Sequence, residues 1–331
     1  MSLAHSHPPM PQRLPLRVGT RGSPLALVQT RQFLDIIGNF CPVLRLPVMG
    51  HAPVFQEHVI RTTGDAEQKA RLADIGGKGL FAKEIHQAML ERRIDFAVHS
   101  LKDLETTLPD GIVLACTLTR EDARDALILG PGCGHADPAD PFACLPAAAI
   151  IGTSSVRRQA QLLHQRPDLH MALLRGNVQT RLERTESGAF AASLLAMAGM
   201  KRLGLAGRAS LVLDPETMVP SACQGIVGVT VRQSDTALRE LLAGIEDPEA
   251  RAVSVAERTM LALLDGSCRT PIGGHARLLP DGRLHLTGLV ARADGSFLLK
   301  RSLAGAPEDG ARIGAELGAE LRADSPADIF A

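Results

Sequence analysis

Residues 151–158 read Ile-Gly-Thr-Ser-Ser-Val-Arg-Arg, and this stretch decides the fold class to expect. The apolar run Ala149–Ile151 gives way to small polar residues, then to a helical pattern over Val156–Gln165. Strand, loop and helix start in direct succession are the unit of an α/β fold. The same design recurs at Val18-Gly19-Thr20-Arg21-Gly22-Ser23-Pro24 and at Leu174-Arg175-Gly176-Asn177-Val178-Gln179-Thr180-Arg181. In the first of these, Ser23 reads as an N-cap and Pro24 as the first helical residue of a helix through about Ile37.

Outward from these segments the alternation continues. Leu16–Thr20, Val43–Val48, His58–Thr62, Ile94–Val98 and Ile112–Cys116 read as strands, and Leu80–Arg92 carries a helical apolar face. Residues 130–146 are rich in Pro and Gly and read as a surface loop. Beyond it come strands at Met171–Leu174 and Phe190–Leu195, and helices at Val178–Thr185 and Met197–Leu203. After about residue 245 the pattern changes to a long helix, Pro248–Leu264. Two or three alternating strands follow, with Leu284–Val290 and Phe297–Leu303 separated by Asp294-Gly295, and an amphipathic helix covers 308–322. That unit is α+β. A chain of 331 residues exceeds what one core serves, so two or three domains are expected.

Composition excludes several classes. Hydrophobic content of 45% and charged content of 22% are those of a globular chain. The formal net charge is zero, so nucleic acid and anionic membrane are not expected partners, and any anion site has to be built by local clustering. The cysteines form no CxxC pair, so no metal is expected. The first fifteen residues lack an apolar run and read as a disordered tail rather than a signal peptide. The apolar stretch Ala189–Met200 is too short to span a bilayer, and the cytoplasm is the expected compartment.

The repeated strand–loop–helix segments point to anions. Helix N-termini offer free N–H groups and a positive dipole end, Ser and Thr add hydroxyls, and Arg adds a bidentate fork. Any single segment reads better as a capped helix with a solvated arginine. Together, Arg21, Arg157, Arg158, Arg175 and Arg181 suggest one site for a multiply anionic ligand, at the strand ends where α/β folds place ligands. Lys102 and Asp103 follow the strand Ile94–Val98 closely, as a surface ion pair or as a carboxylate presented into a cleft. His99 reads as a structural hydrogen-bonding residue. Residues 62–83 read as a glycine-rich loop and as a lid whose Lys78 and Lys83 help close the site. Cys268, in Asp265-Gly266-Ser267-Cys268-Arg269-Thr270-Pro271, is an inert thiol or, beside Arg269, a nucleophile.

Taken together, GTRGSPLAL (19–27), TTGD (62–65), GGKGLFAKE (76–84), AVHSLKD (97–103), REDARDAL (120–127), GTSSVRRQAQL (152–162), LRGNVQTRL (174–182), LAMAGMKRLGL (195–205), ACQGIVG (222–228) and DGSCRTPIGGHA (265–276) resemble the porphobilinogen deaminase family, collinearly over about residues 16–323. The resemblance implies two periplasmic-binding-protein-like α/β lobes and a smaller α+β C-terminal domain. On that pattern domain 1 is 16–118 plus 223–244, domain 2 is 119–222 and domain 3 is 245–331, after the tail 1–15. It implies a monomeric transferase that joins four porphobilinogen molecules head to tail, losing ammonia at each step and releasing hydroxymethylbilane by hydrolysis. It implies a dipyrromethane cofactor in thioether linkage to Cys268, and Asp103 as the catalytic carboxylate. The residues matching the family's cofactor contacts are Ser23, Lys102, Asp103, Thr153, Ser154, Arg157, Arg158 and Arg175. Those matching its substrate contacts are Arg21, Ser23, Arg175, Arg181, Arg202 and Gln224. The rival reading is a two-lobed carboxylate-binding protein without catalysis. The chain departs from the family pattern at Ala191-Ala192-Ser193, at Glu105 in place of Pro, at an insertion over 50–56, and at Cys223 in place of a Gly beside Gln224. Gly tolerates backbone conformations that Cys resists, so the geometry at 223 bears on Gln224.

Overall fold

The computed structural model describes residues 14–45, 54–66, 79–264 and 270–330. Lys78, Cys268, most of the tail and residues 50–53 of the insertion lie outside them.

Two five-stranded sheets share one plan. In the first, β1 (Leu16–Thr20) runs parallel to β2 (Phe55–Val59) and β3 (Phe96–Ser100), while β10 (Val227–Arg232) lies antiparallel between β3 and β4 (Ile112–Thr117). In the second, β6 (Ile150–Gly152) runs parallel to β7 (His170–Ala172) and β8 (Ala192–Ala196). There β5 (Asp125–Leu129) lies antiparallel between β8 and β9 (Leu211–Val212). In each sheet the antiparallel inner strand is the first strand after the chain has crossed from the other sheet. Both crossings are therefore clamped by strand ladders on either side, at 118–124 and 213–226.

Local chemistry explains why the helices start where they do. Ser23, Ser155 and Asn177 each cap a helix, accepting from the backbone N–H groups of Ala26 (3.3 Å), Arg158 (3.4 Å) and Thr180 (2.9 Å). Those helices are Pro24–Phe40, Val156–Gln165 and Val178–Glu186. The first packs Phe33 and Ile37 onto its sheet, with Phe33 edge-on to Phe96 at 5.4 Å between ring centroids.

The remaining sheet is an antiparallel meander of β11 (Ile272–Leu278), β12 (Leu284–Ala291) and β13 (Leu298–Gly305). Helices Pro248–Leu263 and Gly310–Ala323 share its core through Met260, Leu317 and Leu321. They approach closely because Gly310, Gly314 and Gly318 form one stripe; a Cβ at 314 would stand 2.3 Å from the Ala256 carbonyl oxygen.

Three expectations need correction. Residues 43–45 of the expected strand Val43–Val48 belong instead to a 3-10 turn, Pro42–Arg45, which opens on a proline that fixes its own φ and lacks a donor; 46–48 lie outside the described residues. The strand expected at His58–Thr62 starts at Phe55, where pairing with Leu16 begins, and ends at Val59; a helical turn, Thr63–Ala66, follows. The expectation also omitted β5 and β10, whose burial on both faces leaves no alternation to read.

Candidate active site

The parallel strands of both sheets end at one cleft of about 790 Å³. The first sheet supplies Arg21 and Ser23 after β1, and Lys102 and Asp103 after β3. The second supplies Ser154, Arg157 and Arg158 after β6, and Arg175 and Arg181 after β7. Gln224 enters from the return crossing, and Thr270 from the edge of the C-terminal unit. The other expected residues lie differently. Thr153 is buried, its Oγ1 accepting from the Ser155 N–H at 3.1 Å. Arg202 donates through Nη2 to the Gly225 carbonyl at 2.7 Å. Lys83 is exposed and does not line the cleft, and Lys78 and Cys268 lie outside the described residues.

Arg21 organises the first-sheet side. Its Nε and Nη2 donate to Asp65 at 3.2 and 2.6 Å, its Nη1 stands 3.5 Å from Asp103 Oδ2, and its guanidinium stacks 4.0 Å over the Phe81 ring. Thr62 Oγ1 donates to Asp65 at 2.8 Å. Burial works to raise the Asp65 carboxyl, but the Arg21 and Thr62 hydrogen bonds hold it below the usual carboxylate range. Asp103 keeps 30% of its side chain accessible at the cleft, beside a guanidinium already neutralised by Asp65. A carboxylate so placed can receive N–H donors from a ligand and face a developing cation.

The second-sheet side is organised by Asp125, which sequence reasoning had not singled out. It is fully buried, accepts from Arg158 Nη2 at 2.8 Å and pairs with Arg157 Nη2 at 2.9 Å. Burial would raise its carboxyl; the two arginines and Gln224 more than reverse that and hold it well below the carboxylate range. Gln224 Nε2 donates to Asp125 Oδ1 at 2.8 Å and to Ala123 O at 2.7 Å, while its Oε1 accepts from Lys102 Nζ at 3.1 Å. Burial pushes the Lys102 ammonium down to about 8, against the pull of Asp103. Burial, Arg158 and Arg175 push Arg181 down to about 10, so it remains a cation. Burial, His86 and Arg21 push His99 down to about 3, leaving a neutral ring whose Nε2 is hydrogen-bonded to Thr230 Oγ1 at 2.9 Å.

Two family profiles match the chain. One, described as porphobilinogen deaminase, dipyromethane cofactor binding domain, covers residues 16–240; the other, porphobilinogen deaminase, C-terminal domain, covers 252–323. The chain belongs to the porphobilinogen deaminase family. It is an α/β member of a family of transferases built on a dipyrromethane cofactor. A porphobilinogen deaminase of Paracoccus denitrificans is 44% identical over 325 residues, covering 97% of this chain and 98% of that one. One of Syntrophobacter fumaroxidans is 43% identical over 299 residues, covering 90% and 91%. A chloroplastic one of Oryza sativa is 42% identical over 295 residues, covering 88% and 78%. Among solved structures, the Bordetella pertussis BvgS VFT2 domain aligns at a TM-score of 0.40 and 12% identity, over 75% of this chain and 98% of that one.

The porphobilinogen deaminase site contains residues that the motifs carried without a role. Asp65 closes TTGD, and its spacing of three from Thr62 is the one available sign of a local hydrogen-bonded turn. Asp125 lies inside REDARDAL. Arg120, in the same stretch, donates through Nε to the Gln224 carbonyl at 2.8 Å and through Nη1 to the fully buried Glu257 at 2.7 Å. Glu257 also accepts from the N–H groups of Cys223 and Ala276, both at 2.5 Å. Cys223 adopts φ +61, the left-handed conformation that favours glycine, and the Glu257 contact braces it there. The residues present suit a polycarboxylate cofactor. The wall is cationic, and Arg158 keeps a buried Nε–H with no hydrogen-bond partner among the described residues.

Proposed function

We propose that this chain condenses four porphobilinogen molecules head to tail, losing ammonia at each join and releasing hydroxymethylbilane by hydrolysis. The observation that carries the reading is the convergence of Arg21, Lys102, Arg157, Arg158, Arg175 and Arg181 on one cleft around the partly accessible carboxylate of Asp103. Each pyrrole brings an acetate and a propionate, so the growing chain accumulates negative charge that a neutral protein can hold only by clustering cations.

In this reading Cys268 carries the dipyrromethane through a thioether. Thr270, two residues further on, lines the cleft, and two peptide units span no more than about 7 Å. When bound, the cofactor supplies the pyrrole carbon onto which units are joined. Lys102, Ser23, Ser154, Arg157, Arg158 and Arg175 hold its carboxylates; Arg21, Ser23, Arg175 and Arg181 hold those of the incoming substrate. Asp103 accepts the ring N–H groups and stabilises the positive charge that develops as ammonia leaves. Thr153 shapes the Ser154 turn through Ser155, Arg202 tethers the return crossing, and Gln224 orients Lys102. In this reading Lys78 and Lys83 act as lid lysines that help close the site.

The same reading divides the chain at the crossings into 16–118 with 223–244, 119–222, and 245–331, a division that the strand orders support. In this reading the protein acts as a cytoplasmic monomer on a small-molecule substrate, and its zero formal net charge supports the reading that nucleic acid and anionic membrane are not its partners.

Intact-protein mass spectrometry tests the reading: freshly purified active protein should carry a mass excess of two linked pyrrole units, and an unmodified mass would refute it. Cys268→Ser should lose that excess. Asp103→Ala should abolish turnover with the fold retained, and near-normal turnover would remove Asp103 from the mechanism.

A further inference from the structure

We propose that Asp125 is the positioning residue that assembles the cationic wall of the cleft, holding Arg157 and Arg158 directly and Lys102 through Gln224. The inference rests on the porphobilinogen deaminase reading of the cleft. Arg157 and Arg158 are consecutive on one helix, and consecutive helical residues do not face the same way. Two buried guanidiniums drawn to one point also repel each other. Both are nevertheless tied to a single carboxylate, Arg158 Nη2 to Oδ1 at 2.8 Å and Arg157 Nη2 to Oδ2 at 2.9 Å. Each is fixed a second time by a main-chain carbonyl, Arg157 Nη1 to Val219 O at 2.7 Å and Arg158 Nη1 to Leu194 O at 2.8 Å. The buried anion between them is what makes the pair possible.

The same carboxylate reaches across the cleft. Asp125 Oδ1 also receives Gln224 Nε2 at 2.8 Å, which orients the amide so that its oxygen faces the Lys102 ammonium at 3.1 Å. Lys102 belongs to the first sheet's strand ends and Asp125 to the second sheet, so one hydrogen-bonded chain joins the two walls. The charges bearing on Lys102 are Asp103 and Asp125, favouring the ammonium, and Arg158 and Arg157, opposing it. Without the charge of Asp125, Lys102 would face both arginines with only Asp103 on its side. Arg158 is held by its two terminal nitrogens, and its buried Nε–H has no hydrogen-bond partner among the described residues.

Asp125→Asn keeps the shape and removes the charge. In the full-length protein as purified, we expect the fraction carrying the cofactor-sized mass excess to fall about tenfold, or KM for porphobilinogen to rise about tenfold. We also expect the alkaline limb of kcat/KM to move to lower pH by about half a unit or more. A general loss of packing would not move that limb. Gln224→Met cuts the Lys102 branch and one hydrogen bond to Asp125 but leaves both arginine contacts to Asp125 in place, and it should move the limb the same way. A folded Asp125→Asn with wild-type cofactor load, KM within twofold and an unmoved limb overturns the proposal. If Asp125→Asn yields no folded protein, an unmoved limb in Gln224→Met overturns it and a moved limb supports it. Wild-type protein lacking both the mass excess and turnover would instead remove the functional reading itself.

Discussion

Replacing Lys102 by Met should separate activity from stability along the pH axis. The Lys102 ammonium is pushed down to about 8 from 10.5, burial being the main cause and Asp103 the main opposing one. Its folded-state value is thus below its unfolded one. Between pH 8 and 10.5 the unfolded chain holds more of this proton than the folded chain, so the contribution of Lys102 to stability rises with pH there. At about 1.36 kcal/mol per pH unit, the ceiling on that gain is about 3 kcal/mol, and the partial exposure of the side chain reduces it. Activity should run the other way. The free enzyme loses the ammonium through the same window, so kcat/KM should fall about tenfold per pH unit above about 8. Lys102→Met has no such proton. Urea unfolding at pH 7, 8, 9 and 10 should show wild type gaining on the variant as pH rises, while kcat/KM for wild type falls and the variant's low activity lacks that limb. A constant stability gap from pH 7 to 10, or a variant that keeps the wild-type limb, would refute the reasoning.

Gly314→Val would place a side chain against the Ala256 carbonyl, where even a Cβ stands at 2.3 Å, and should cost about 1–3 kcal/mol, read as a lower Tm. Unchanged Tm would mean that the two C-terminal helices can part freely. Glu257→Gln replaces a buried carboxylate that accepts from Arg120, Cys223 and Ala276, and should lose about 3–5 kcal/mol in urea unfolding; a loss under about 1 kcal/mol would show that the crossing does not depend on it. Cys223→Gly relieves a left-handed backbone worth about 1–2 kcal/mol and gives up a buried thiol of similar worth. Stability and kcat/KM should therefore change little, and a tenfold fall in kcat/KM would give the thiol a part in the site.

Where a structural decision is local, the sequence was readable. Ser23-Pro24 carries both a cap and a proline at the first helical position, and the helix begins at Pro24 as expected. Val156–Gln165 has a cap before it and a polar break after it, and both expected ends coincide with the observed ones. The arginines after β1, β6 and β7 were legible for the same reason: in a parallel sheet, the loop after a strand must lie at its C-terminal end. A strand whose place depends on distant chain was not legible. β10 pairs with β3, more than a hundred residues earlier, and is buried at every position, so no period marks it.

The same distinction separates the parts of the site. Arg21, Arg157 and Arg158 are legible because the same strand–loop–helix design recurs and brings an arginine each time, although any one segment alone reads as a capped helix with a solvated arginine. The acids that control them do not. Asp125 lies in a stretch with Glu121 and Asp122, which pair with the partly exposed Lys201, and nothing in their order tells which acid is buried. Its role comes from Gln224, at a sequence separation of 99, and from Arg158, at 33. A cluster of cations can be inferred from motifs, because each motif supplies its own. Its neutralisation is a tertiary property, since a buried acid is tolerable only where the fold delivers its partners. The proteins most instructive about this cleft will therefore be variants at acids and amides, Asp125, Asp65 and Gln224, rather than at the arginines whose purpose the sequence already suggests.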